Sequence, residues 1–146
     1  MGFFNSINVS ASGLTAERLR MDIISKNIAN ANTTRTSAGT PYRRQVAVFR
    51  SLEGSDFQSA LAQATGKATT GQGVEVVGVR DDMTPFKREY NPGHPDADDN
   101  GYVLLPNIEV VTEMINMISS SRAYEANVTS MNSMKSMAMK ALEIGK

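Results

Sequence analysis

The chain has no cysteine. Its fold therefore owes nothing to disulfides, and neither a thiol nucleophile nor a cysteine-ligated metal centre is available to it. It has no long apolar run of the kind that spans a bilayer, so no membrane insertion is expected. It has no net charge, with 15 Lys and Arg against 15 Asp and Glu, which removes the usual electrostatic pull toward nucleic acid. It has one histidine, His94. A single imidazole without cysteine or a spaced carboxylate does not make a zinc site, and a turn-packing role is expected for it. The opening MGFFNSINVSASGL lacks a basic segment followed by an apolar core, so no cleaved secretory signal is expected. No phosphate-binding glycine loop, nucleophile elbow or pair of catalytic carboxylates occurs. These absences point away from an enzyme and from any cofactor.

The charge balance hides an asymmetry. Residues 1–50 hold seven basic side chains against two acidic ones, so the rest of the chain is correspondingly acidic. Packing of identical or related subunits is one use for that complementarity, and a solvated mosaic of charges is the other.

What the chain does have is helical periodicity at both ends. Near the C-terminus Val110, Met114, Met117, Ser121, Tyr124, Val128, Met131, Lys135, Ala138 and Leu142 alternate at spacings of four and three, which keeps one stripe toward a partner over many turns. A second row, Ile108, Val111, Ile115 and Ile118, lies beside it. Two adjacent rows make a stripe wider than one partner helix covers, so one row is expected to face the N-terminal helix and the other a neighbouring subunit. Six of the nine methionines fall between Met114 and Met139, and Met adapts to irregular or varied surroundings. Near the N-terminus a matching stripe runs through Ile7, Ala11, Leu14, Met21, Ile24, Ile28 and Ala31. This helix is predicted from Asn5 or Ser6 to Ala31. Gly13 inside it costs about 1 kcal/mol relative to Ala, which implies either a close approach by a neighbour or fraying. The last helix is predicted after Pro106, capped by Asn107, with Glu109 complementing its positive end.

Between the helices the pattern changes to period two. Strands are predicted from Tyr42 to Arg50, where Val46 and Val48 face opposite to Ala47 and Phe49, and over Val74–Val79, Phe86–Tyr90 and Tyr102–Leu105. The small polar segment 54–73 reads as a mobile or partner-ordered loop. Asp96-x-Asp98-x-Asn100-Gly101 imitates the start of a calcium loop, but the twelfth position is Asn107 where a bidentate Glu is required. A polar turn leading into Tyr102–Leu105 is the expectation. Arg43-Arg44 reads as a solvated basic pair. The fold class is thus α+β: residues 1–36 and 106–146 form a discontinuous, coiled-coil-like helical domain, and 37–105 a β-rich insert.

Residues 10–36, through Ser12-Gly13-Leu14, Ala16, Asn27-Ile28-Ala29-Asn30 and Thr33-Thr34, resemble the N-terminal signature of bacterial flagellar axial proteins. Residues 106–145, through Met117-Ile118, Ser121-Arg122-Ala123-Tyr124-Glu125-Ala126-Asn127 and Ala141-Leu142, resemble the partner signature. PYRRQVAVF (41–49) and YNPGHPDADDNGYVLLPN (90–107) are similar to the short proximal-rod members of that family. The resemblance implies a structural subunit of the basal-body rod in the periplasmic space, exported by the flagellar type III apparatus without a cleaved signal. It implies polymerisation around a central channel and transmission of torque. The implied partners are copies of the chain, other proximal- and distal-rod proteins, the rod–motor junction protein and the export apparatus. The expected subunit interface comprises Leu14, Met21, Ile24 and Ile28 on the first helix. On the last it comprises Val111, Met114, Ile115, Met117, Ile118, Arg122, Tyr124, Glu125, Val128 and Met131, with Arg122 and Glu125 pairing across subunits rather than with each other. The rival class is a secreted oligomeric coiled-coil adaptor or tip protein, which would share the heptads and lack the two signatures.

Overall fold

The computed structural model describes residues 3–52, 64 and 73–144; apart from positions 64 and 73, the expected loop 54–73 lies outside them. Among the described residues six elements follow one another: α1 (Phe3–Ala29), β1 (Gln45–Ser51), β2 (Val74–Asp81), β3 (Lys87–Tyr90), β4 (Tyr102–Leu105) and α2 (Val110–Ile144). The class is α+β with a helix at each end. The strands form two two-stranded sheets, β1–β2 and β3–β4. Asp82 N–H bonds to Arg44 C=O at one end of β1–β2 and Leu52 N–H to Gly73 C=O at the other, so the two strands run antiparallel. β3 and β4 are antiparallel with Lys87 opposite Leu105 and Tyr90 opposite Tyr102. In β4 the exposed Tyr102 and Leu104 alternate with buried Val103, the period-two pattern of a half-buried strand.

The helix ends differ from expectation by a few residues, for local reasons. Asn30 N–H is shared between Lys26 and Asn27 carbonyls and Ala31 N–H turns back to Ile28; such tightening closes α1 at Ala29. At the start of α2 the first turn is closed by Glu113 N–H on Glu109 C=O, 2.9 Å. The expected cap, Asn107, does other work: its Oδ1 accepts Arg44 N–H at 2.9 Å and its Nδ2 donates to Thr84 Oγ1 at 2.7 Å.

The chain divides into two compact units, each taking part of both helices. Unit one comprises Met1–Leu19, Val48–Gly78 and Ser121–Lys146. In it Ser10, Ala16 and Met134 are buried. Gly13 is where α1 meets α2: a Cβ there would stand 3.2 Å from Asn127 Nδ2, so the residue that weakens the helix is also the one that lets Asn127 in. Ser12 Oγ donates to Val9 C=O at 2.7 Å and accepts Val74 N–H at 3.1 Å, pinning the start of β2 to α1. A Cβ on Gly73, at φ +127°, would stand 2.5 Å from that hydroxyl.

Unit two comprises Arg20–Ala47 and Val79–Ser120. Its apolar core is Ile23 and Ile24 of α1, Val103 of β4 and Ile108, with Pro41 and Pro106 also buried. Each such aliphatic side chain contributes about 1.5–3 kcal/mol relative to exposure.

The inward row of α2 is not the predicted one. Buried or half-buried are Glu113, Met117 and Ser120 in unit two, and Tyr124, Asn127, Met131 and Met134 in unit one. The four-three spacing holds and Met117, Tyr124 and Met131 are shared with the predicted row. The alternate positions, however, fall one residue earlier: Glu113 for Met114, Ser120 for Ser121, Asn127 for Val128. Tertiary hydrogen bonds from Asn27 and Arg44 make Glu113 suitable for the inside, small size admits Ser120, and Val110 and Met114 are left exposed.

Candidate assembly site

Two features of unit two bear on assembly: a buried polar cluster and an uncovered apolar helix face. The cluster begins with Asn27, 1 % exposed near the end of α1. Its side-chain amide replaces a missing strand neighbour. Asn27 Oδ1 accepts Gln45 N–H at 3.0 Å while Asn27 Nδ2 donates to Gln45 C=O at 2.8 Å, so the first residue of β1 is satisfied on its open edge as backbone would satisfy it. Asn27 Nδ2 also donates to Glu113 Oε2 at 2.9 Å, and Asn27 Oδ1 accepts from Tyr42 Oη at 3.2 Å.

Glu113, likewise 1 % exposed, lies in the first turn of α2, where the helix dipole favours a negative charge. Its Oε1 accepts from Arg44 Nη2 at 2.7 Å and Nε at 3.0 Å. Arg44 Nη1 reaches on to Asp82 Oδ2 at 3.1 Å. One guanidinium thus joins the start of β1, the residue after β2 and the base of α2. Burial by itself would lower the Arg44 pKa, but the hydrogen bonds and charges of Glu113 and Asp82 outweigh it and raise the value. Asp82 is held below the ordinary carboxylate range, first by the Thr84 N–H it accepts at 3.0 Å and further by Arg44 against the opposing effect of desolvation. The Tyr42 phenol is raised by burial and by the negative charges of Asp81 and Glu113.

The basic pair Arg43-Arg44, expected to be solvated, is fully engaged. Arg43 Nη1 donates to Asp82 C=O and Thr84 C=O, both at 3.1 Å, with its guanidinium 4.3 Å from the centre of the Phe86 ring. His94 serves its turn, its Nδ1 accepting Asp96 N–H at 3.1 Å. The calcium-like segment is a turn as well: Asp98 Oδ1 accepts the N–H groups of Asn100 and Tyr102 at 3.0 and 2.9 Å. Among the described residues no group of three or more His, Asp or Glu is placed to hold a metal, and no helix is long and apolar enough to cross a membrane.

The second feature lies opposite the inward row of α2. Val111, Met114, Ile115 and Ile118 are 60, 48, 62 and 54 % exposed. Their spacings of three and four put them on one face, and none of the described residues covers it. Of the other residues expected at the interface, Leu14, Met21 and Ile28 on α1 and Met117, Tyr124, Val128 and Met131 on α2 are half-buried. Ile24 is buried in unit two's own core and offers a neighbour no surface. Arg122 and Glu125 are exposed. Sequence reasoning missed Arg44, Asp82 and Glu113 as determinants of structure and gave Asn107 only the role of a cap. The available signal was polar residues, Asn27 and Glu113, at positions where a helix turns inward.

The matched signatures and the relatives account for this pattern. Residues 7–35 match the family described as flagella basal body rod protein, and residues 99–144 match the C-terminal family described as flagellar basal body rod FlgEFG protein. The flagellar basal-body rod protein FlgC of Bacillus subtilis is 48 % identical over 100 % of both chains. That of Borreliella burgdorferi is 49 % identical over 99 % of this chain and 98 % of its own, and that of Salmonella typhimurium 39 % identical over 99 % of each. The signature residues Ser12, Gly13, Asn27 and Asn127 are the ones whose short side chains, or lack of one, join the helices to each other and to the β1–β2 ribbon. With both terminal signatures and the full length in between accounted for, the chain belongs to the FlgC family of flagellar basal-body rod proteins.

Proposed function

We propose that the chain is a structural subunit of the proximal part of the flagellar rod, exported by the flagellar type III apparatus without a cleaved signal. It polymerises around a central channel and carries torque. Its neighbours are copies of itself, other rod proteins of the proximal and distal segments, and the protein that joins the rod to the motor. The observation that carries this reading is the uncovered apolar face Val111–Met114–Ile115–Ile118 in a chain of this family. Apolar surface of this extent on a helix is stabilised by burial against a partner. The half-buried Leu14, Met21, Ile28, Met117, Tyr124, Val128 and Met131 complete the packing around each subunit, and the exposed Arg122 and Glu125 set its rotational register by pairing across subunits. Complementation of a strain lacking the native rod gene tests the reading. The parent chain restores swimming, and the Ile115→Asp/Ile118→Asp double variant is exported but builds no rod. Unimpaired swimming with the double variant places the interface elsewhere.

A further inference from the structure

A second surface of unit two has the form of a knob and a cleft. The knob is Met83, 82 % exposed in the turn between β2 and β3. A side chain so exposed ordinarily sits on a loose loop, yet this turn is braced from every side. Asp82 Oδ1 accepts Thr84 N–H at 3.0 Å, an Asx turn around Met83 itself. Asp82 Oδ2 holds Arg44, Arg43 donates to the carbonyls of Asp82 and Thr84, and Asn107 donates to the Thr84 hydroxyl. A turn whose backbone is held in place presents its apolar side chain to a partner with less conformational freedom to lose on docking than a loose loop would. Beside it Asp81 is exposed and accepts a bond from the Gln45 amide at 3.3 Å.

The cleft, about 410 Å³, lies between the segment 34–41 and the β3–β4 hairpin. Its apolar lining includes Pro41, Tyr102 and Leu104, the last two still 44 and 42 % exposed. The Tyr102 ring is fixed edge-on against Tyr90 at 5.3 Å. The carboxylates of the cleft are occupied: Asp96 accepts from Thr34 Oγ1 at 2.9 Å and pairs with Arg35, and Asp98 caps its own turn. Arg88, which also lines the cleft, is exposed and has no ionic partner among the described residues.

We propose that Met83 of one subunit inserts into this cleft of a neighbouring copy, with Asp81 meeting Arg88 of that copy. The occupant is a second copy because the chain carries both halves, an apolar knob with an acidic flank and an apolar cleft with an unpaired guanidinium, and the charges are complementary. A contact between two different patches of identical subunits is heterologous. Repeated, it generates a ring or an open helix rather than a closed dimer, the kind of assembly a rod requires. Methionine suits the knob, since its flexible thioether adapts to a mixed lining. The inference rests on the rod reading above but is independent of the α2 face.

The absence of cysteine allows a direct test. Met83→Cys and Leu104→Cys are placed in separate copies of the full chain, co-expressed in the complemented strain, and the rods oxidised. The expected result is a covalent heterodimer that neither variant forms alone. No heterodimer in rods from swimming cells overturns the proposal, and a cross-link from Met83→Cys to another protein overturns the choice of occupant. As a second measurement, Asp81→Lys and Arg88→Glu each reduce swimming at least several-fold and the pair restores it; full swimming with each single reversal also overturns the contact. Restoration of swimming by the unaltered chain tests the rod reading separately.

Discussion

At the scale of single residues the decisive group is the carboxylate of Glu113, buried with two cationic nitrogens and an amide on it. Removing one member of a buried pair leaves the other charge uncompensated, at a cost of roughly 3–5 kcal/mol. Glu113→Ala is therefore expected to lower the unfolding free energy of the purified chain, measured by urea titration, by an amount of that order. Asn27→Asp is expected to destabilise as well, because it replaces the donor to Gln45 C=O and Glu113 with a second negative charge. Unchanged midpoints for both variants would show that the cluster contributes nothing net. The pH dependence has a defined sign. Asp82 has a folded pKa lowered from its ordinary value, so its contribution is fully present above the unfolded value of about 3.9 and is lost as pH falls through the folded value. Melting temperature measured from pH 6 down to 3 is expected to fall more steeply for the parent than for Asp82→Asn; identical slopes would remove Asp82 from the acid limb.

At the scale of elements α2 has two faces of different chemistry. The inward row through Glu113, Met117 and Ser120 is polar enough to be overlooked and specific enough to fix which residues of α1 it meets. The outward row through Val111, Ile115 and Ile118 is strongly apolar and more than half exposed in the single subunit. Substitutions on the two faces should separate cleanly. Ile118→Asp is expected to leave the unfolding free energy of the isolated chain within about 0.5 kcal/mol of the parent's, as for surface changes, while abolishing rod assembly. Gly13→Leu is expected to do the reverse at first order, destabilising the subunit by forcing Asn127 away from α1. Equal stability losses for both would mean that the outward row packs within the subunit after all.

At the scale of the whole molecule much apolar surface remains uncovered: besides the α2 face, Met137, Met139, Leu142 and Ile144 are exposed. Burial supplies the main offset to the entropy of ordering a chain, so a subunit with these residues in water holds its terminal turns weakly. Hydrogen exchange is expected to be fast over residues 135–144 in the purified chain and slowed by at least an order of magnitude in isolated rods. Equal protection in the two states would show that the helix is self-sufficient.

Local rules in the sequence by themselves determined the α+β class, the helix at each end, the four strands to within a few residues and the turn at Asp96–Gly101. Each of these depends on periodicity, capping or turn chemistry within a short stretch of chain. The two terminal signatures were equally legible, and with them the family. Only the tertiary structure decided which row of α2 turns inward. Hydropathy ranks Met114 above Glu113, yet Glu113 is the buried one, because Arg44 and Asn27 supply its hydrogen bonds and Asn27 lies 86 positions away. Asp82, Thr84 and Glu113 turned Arg43-Arg44 from a solvated pair into a brace, and the Arg44 N–H and Thr84 hydroxyl drew Asn107 from the helix cap it was expected to make. Whether a polar side chain is cheaper inside or outside depends on who satisfies it, and partners so far apart along the chain are brought together only by the fold.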